Sequence, residues 1–221
     1  MSGAREQILT NIRRSLGRDA ELTESDRAEL EARIARRERG PLPQVSGDLL
    51  NLFTQKLAAV SATHVLVKSS KHAVDAIAQH MQKHQLTPEI VVSSEPLIQG
   101  LLWPEDWKVG YRVATGEDHV SVTGAFAAIA ETGTLALLSG PSSPTTLRFL
   151  PDDHIVVIES QQIVAHVEDV WDLMREEYDG PPRTMNLITG PSRTADVEQT
   201  IQLGAHGPRR LHVVILTDTD Q

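Results

Sequence analysis

The 221-residue chain has no cysteine. A disulfide framework is therefore excluded, and a reducing compartment fits. Iron–sulfur clusters are held by Cys thiolates, so no such cluster is expected on this polypeptide. No apolar run approaches the roughly 20 residues a membrane helix needs. The N-terminus has no basic segment followed by an apolar core, so no signal peptide is expected. Together these absences point to a cytoplasmic protein without membrane contact. Gly-x-Gly-x-x-Gly, P-loop and Gly-x-Ser-x-Gly signatures are missing as well, which disfavours an ordinary nicotinamide dehydrogenase or P-loop ATPase. No histidine has the spacing of His-Glu-x-x-His, and no metal is expected.

Forty per cent of the residues are hydrophobic, enough for a real core. The length fits one domain plus an appendage. Formal charge is −9, unevenly spread: residues 1–40 hold nine basic and eight acidic side chains, and the other 181 hold 12 and 22. An acidic body argues against nucleic acid as partner but leaves room for a positive pocket that takes a small anion.

Residues 1–43 read as an N-terminal helical arm and linker. In Ser2–Gly17, Ile8, Ile12 and Leu16 recur at helical spacing and Leu9 widens the stripe. Glu24–Arg39 is a charged helix with one apolar pair, Leu30 and Ile34. It is either a solvated helix or an arm that docks on a partner or on a second copy of the chain. Gly40-Pro41-Leu42-Pro43 ends it.

Residues 44–221 alternate between helix-like and strand-like segments. Helices are expected at Asp48–Val60, Lys71–His84, Ile163–Tyr178 and Thr194–Leu203. Strands are expected at Thr63–Lys68, Glu89–Val92, Trp107–Val113, Ser121–Gly124, Thr134–Leu138, His154–Ile158, Thr184–Thr189 and Leu211–Leu216. The expected fold class is α/β, with a mixed, largely parallel sheet flanked by helices. Ligands in such sheets sit beyond the carboxyl ends of the strands.

Two strand ends look alike: Leu137-Leu138-Ser139-Gly140-Pro141-Ser142 and Leu187-Ile188-Thr189-Gly190-Pro191-Ser192. After the second, Arg193, Thr194 and Asp196 suggest a helix start, whose N–H groups and dipole can hold an anion. Arg193 adds a forked donor for a carboxylate. The alternative is a tight turn whose Ser or Thr caps its own helix. Glu131-Thr132-Gly133-Thr134 places a carboxylate at a strand entrance, where it can act as nucleophile or base, or simply bind backbone donors. Gly133 admits a ligand or another backbone, and the small residues at 121–130 leave room for a ligand. His154 and His206 can carry protons, or each can tie its ring to a loop carbonyl. Gly207 flanks His206 and serves chain reversal.

Glu131-Thr132-Gly133-Thr134, Pro151-x-x-His154, the run Thr189–Glu198 and Gly204-Ala205-His206-Gly207-Pro208 together resemble the lactate utilization protein C family, whose members carry the LUD domain. The likeness runs from about Leu49 to Leu216. It implies a fold related to the sugar-phosphate isomerase and CoA-transferase superfamily. It also implies a role beside iron–sulfur lactate utilization proteins in oxidising L-lactate to pyruvate, with the clusters in those partners and no cofactor in this chain. Placed on these motifs, the candidate catalytic residues are Glu131 and His206. The candidate substrate-binding residues are Thr132, Gly133, Thr134, His154, Gly190, Pro191, Ser192, Arg193, Thr194, Asp196 and Gly207. Two other readings stay open: an independent enzyme acting on a sugar phosphate or CoA ester, and an assembly module without chemistry.

Overall fold

The computed structural model describes residues 2–17, 22–196, 200–204 and 206–217. The chain divides into two units, Met1–Leu42 and Pro43–Gln221. In the first, α1 (Ser2–Ser15) carries Ile8 and Ile12 one turn apart, both exposed. A capping box opens α2 (Glu24–Arg36): the Thr23 hydroxyl accepts from the Asp26 N–H at 3.1 Å, and the Thr23 N–H donates to the Asp26 carboxylate. This cap fixes where the charged helix begins. It ends at Arg37, in the left-handed region.

The second unit contains α3 (Leu49–Ala59), β1 (Thr63–Val67), α4 (Ser70–Lys83), β2 (Glu89–Val92), α5 (Pro96–Gln99), β3 (Lys108–Tyr111), β4 (Val120–Thr123), β5 (Ala127–Ile129) and β6 (Thr134–Leu138). It continues with α6 (Thr146–Phe149), β7 (Asp153–Glu159), β8 (Ile163–Val164), α7 (Val167–Glu177), β9 (Met185–Ile188), β10 (Arg193–Asp196), β11 (Thr200–Leu203) and β12 (Arg210–Leu216). Among the described residues no helix is long and apolar enough to cross a membrane.

Six strands form one sheet in the order β1-β12-β7-β4-β2-β3, with every pairing parallel. Its central strands read as continuous apolar runs because both faces are covered. In β7, Ile155 and Val157 pack on the α4 side, while Val156 and Ile158 pack with Phe53 and Leu57 of α3 on the other. In β12, Val214 and Leu216 join the first cluster, and Leu211, Val213 and Ile215 the second. A four-stranded mixed sheet, β8-β5-β6-β9, lies over the second face. The architecture is thus α/β with a largely parallel main sheet, as the alternation of segments predicts.

Two local expectations differ from the structure. Residues 194–203 were expected as a helix. Their described part is an antiparallel hairpin of β10 and β11, paired from Arg193↔Leu203 to Asp196↔Thr200. The β-branched Thr194, Thr200 and Ile201 favour strand over helix. The capping reading of Thr194 and the helix-dipole anion site therefore do not hold. Second, Ala127, Ala128 and Ala130 leave no open space. They form or flank β5 and are fully buried, their small size allowing close packing near Leu135 and Val170.

Gly133 and Gly190 explain how α3 sits on the smaller sheet. Gly133 has φ +70°, and a Cβ there would lie 2.7 Å from the Lys56 backbone carbon. Gly190 has φ +77°, and its Cβ would lie 2.5 Å from the Val60 carbonyl oxygen. The close approach that these glycines permit is that of another backbone. Gly190→Ala combines left-handed strain with a backbone clash, and is expected to destabilise by more than about 2 kcal/mol. Urea unfolding of the purified variant measures this.

Candidate functional site

Parallel pairing puts all six strand starts of the main sheet on one edge and all ends on the other. At the carboxyl edge lies a cavity of about 800 Å³, within the range of small-molecule sites. The exits of β2, β4, β6 and β7 build it. After β2 come Ser93 and Glu95. The Glu95 carboxylate accepts from the Ser93 hydroxyl and from the Gly124 N–H, both at 2.7 Å. A Cβ at Gly124 would sit 2.9 Å from Glu95 Oε2, so glycine is what lets this carboxylate seat on the exit of β4.

After β6, the turn Ser139–Ser143 forms another wall. It is closed by the Ser143 N–H donating to the Gly140 carbonyl at 3.1 Å, and anchored by the Ser94 N–H donating to the Ser142 carbonyl at 2.7 Å. After β7, Gln162 donates to the Ala125 carbonyl at 2.6 Å and accepts from the Glu159 N–H at 2.8 Å. Phe126 and Tyr178 meet edge to face, with centroids 5.9 Å apart, and give the cleft an apolar side. Its ionisable lining is Glu95, Glu159 and Glu177 besides the Tyr178 phenol. Such a cleft accepts hydrogen bonds and repels a bare carboxylate.

Behind the Ser143 wall lies Arg148, fully buried. Its Nη1 donates to the Leu137 carbonyl and to the Asn186 side chain, each at 2.9 Å. Nη2 donates to the Leu138 carbonyl and to the Ser143 hydroxyl. Burial pulls its pKa down to about 10, partly offset by the Glu95 carboxylate. Arg148 thus holds the end of β6 in place. Nothing in the sequence around Thr146–Phe149 marks it as interior.

The first Gly-Pro-Ser turn, Ser139–Ser142, and Gly124 and Ala125 of the small-residue run line this cleft, whereas the candidate catalytic and substrate-binding residues are not among its described lining. Glu131 accepts from the Val167 N–H at 3.1 Å, at the start of α7, and its other oxygen is 2.9 Å from His166 Nδ1. Thr132, Thr134 and Thr189 form a chain of hydroxyl contacts, each 2.7 Å. That chain joins the Glu131 motif to the Gly190 motif. The Ser192 N–H donates to the Pro208 carbonyl at 2.8 Å, and the Gly204 N–H to the Ser192 carbonyl at 3.1 Å. These bonds join the Gly190 motif to the loop of His206 and Gly207. Three of the four motifs are therefore contiguous. Pro191 is half-buried, and Arg193 and His206 are exposed. The side chains of Thr194 and Asp196, and all of Val197, Glu198 and Ala205, lie outside the described residues.

His154 stands apart from them, 1% exposed within the main sheet, its Nε2 2.9 Å from the Thr123 hydroxyl. Burial, helped by nearby Arg148, lowers its pKa to about 3, so the ring is neutral. This is an interior position, not a solvent-facing one. Sequence reasoning did not single out His166 or Glu95. Glu95 follows a strand end, which the strand-end rule covers, whereas the pairing of His166 with Glu131 spans 35 residues and leaves no local signal. Among the described residues no three His, Asp or Glu side chains group so as to hold a metal ion.

Residues 112–216 match the LUD domain. Over 183 residues the chain is 28% identical to lactate utilization protein C of Anoxybacillus flavithermus, covering 77% of this chain and 81% of that one. It is 25% identical to lactate utilization protein C of an Exiguobacterium species, across 97% of this chain and 96% of the other. The crystal structure of a DUF162 family protein from Deinococcus radiodurans aligns with a TM-score of 0.58 at 23% identity, over 79% of this chain and 99% of that one, which shows a shared fold. The glycines, hydroxyls and loops that lock the smaller sheet onto α3 fall in or beside the matched region, so the chain carries a LUD-domain match over residues 112–216 and is similar along most of its length to proteins named lactate utilization protein C.

Proposed function

We propose that this chain is the non-cluster subunit of a system that oxidises L-lactate to pyruvate beside iron–sulfur partner proteins. The observation that carries the proposal is similarity along 97% of the chain to a protein named lactate utilization protein C. A chain without cysteine is compatible with that division, since the electron-carrying clusters would sit on the partners.

Within this reading, the two surfaces divide the work by charge. The acidic cleft takes an uncharged or cationic hydrogen-bonding group, with Glu95 held in place as acceptor or base. The small organic anion goes to the contiguous motifs. There Arg193 supplies a forked donor, and Glu131 with His166, or His206, moves a proton. Loss of one charge-assisted hydrogen bond to an anion weakens binding by roughly 1.5–3 kcal/mol. Arg193→Met is accordingly expected to raise the half-saturating lactate concentration at least about tenfold, with little change in fold stability.

Deleting the gene is the test of the role. Growth on L-lactate should stop, growth on pyruvate should continue, and a plasmid copy should restore the first. Normal growth on lactate in a strain with no second copy of the gene would refute the role.

A further inference from the structure

We infer a second binding site, for a small oxyanion, in a pocket at the amino-terminal edge of the main sheet, opposite the acidic cleft. The inference stands apart from the lactate reading and rests on side-chain geometry alone. The pocket has a volume of about 440 Å³. Its polar lining is Thr63 and His64 of β1, Gln79, His80 and Lys83 of α4, and His212 of β12. Among the described residues no carboxylate lines it, in a chain whose net charge is −9.

His212 is the key group. It is 7% exposed, and its Nδ1 lies 2.8 Å from the Thr63 hydroxyl. Its Nε2 is buried and has no hydrogen-bond partner among the described residues. A buried imidazole nitrogen left in that state is costly, and a ligand oxygen or hydroxyl reaching it removes the cost. The neighbouring carboxylate, Asp153, is already engaged: Arg210 donates to it at 2.6 and 2.5 Å, and His80 Nε2 lies 3.3 Å away. It is therefore taken up by Arg210 and His80, and leaves the Lys83 ammonium, the Gln79 amide and the His64 and His212 imidazoles to a ligand.

The ring of His80 stacks on His212 at 4.3 Å and meets His84 at 4.6 Å. These rings, with His64, Lys83 and Arg210, crowd potential positive charge at one edge; Asp153 is bound among them and Asp152 acts on Arg210. An oxyanion relieves that crowding, whereas a cation adds to it. A transition metal is the less fitting occupant, because His80 Nε2 and His212 Nδ1 already have partners. Burial first, then the neighbouring His80, His64, His84 and Lys83, pushes the His212 pKa down to about 3. A bound anion favours the protonated ring, so binding strengthens as pH falls.

The experiment is a titration of the full chain, with histidine rings labelled with nitrogen-15, followed by NMR at fixed ionic strength. The probes are inorganic phosphate in one arm and L-lactate in the other. Saturable shifts of the His64 and His212 ring signals with phosphate support the site and assign it to phosphate-type ligands. The same shifts with lactate support it and assign it to carboxylates. Lys83→Met, an exposed position whose change leaves the core intact, should weaken either response at least about tenfold. Absence of saturation in both arms up to about 20 mM, or full affinity in Lys83→Met, would overturn the inference.

Discussion

Asp153→Ala is expected to lower the unfolding free energy by about 3–5 kcal/mol, the usual cost of breaking a buried ion pair by removing one partner. The Asp153 side chain is 0% exposed and accepts from Arg210 Nε and Nη2, with His80 beside it. Burial by itself would raise its pKa; the hydrogen bonds from His80 and Arg210 together outweigh that and hold it below the usual carboxylate range. These contacts tie the first residues of β7 and β12 to α4, and that pairing is central to the main sheet. Arg210 is 38% exposed and can turn to water once its partner is gone, which places the expected loss toward the lower end of the range. His80 cannot do so. Urea unfolding at pH 7 measures the loss. The double variant Asp153→Ala with Arg210→Met should lose less than the sum of the single changes, because their contact is shared. A loss below about 1 kcal/mol for Asp153→Ala would mean that the pair behaves as a surface pair, contrary to its burial.

Acid lability is the second large effect. His154 and His212 each have a folded-state pKa of about 3, both chiefly through burial. In the unfolded chain a histidine titrates near about 6.5. Below that pH the unfolded state takes up protons that the folded state refuses. Their stabilisation is therefore complete above about pH 6.5 and is lost progressively as pH falls toward 3. Between pH 7 and pH 5 each histidine should cost about 2 kcal/mol, or roughly 4 kcal/mol together, a large part of an ordinary domain's stability. Asp118 does not contribute in this window. Hydrogen bonding to Arg112 holds its pKa near about 2, so its stabilisation is lost only as pH falls further. Urea unfolding at the two pH values should show the loss, and His154→Gln should shrink it by about half. Equal stability at pH 7 and pH 5 would contradict the burial of these rings.

Particular residues show how far the sequence could be read. The apolar runs at 154–158 and 211–216 announce buried parallel strands because both faces of each are covered, and residue type carries that information. The sequence at Thr194–Leu203 points to a helix where β10 and β11 form, because Thr and Asp next to an apolar segment serve equally as helix caps and as strand residues. The linked hydroxyls of Thr132, Thr134 and Thr189 join motifs that were legible separately. Their contact depends on β6 lying beside β9, a pairing across some fifty residues. The histidine pocket was invisible for the same reason: His64, His80 and His212 meet only once β1, α4 and β12 are assembled. Glu95 was within reach of the rule that ligands sit beyond strand ends. The adjacency of β2 and β4, which brings Gly124 to its carboxylate, was not.

The most direct measurement is lactate-dependent dye reduction by the purified iron–sulfur partners, with and without this chain. The account predicts that reduction needs the chain, and that Arg193→Met demands more lactate. Partners that reduce the dye at the same rate without the chain would contradict its place in lactate oxidation.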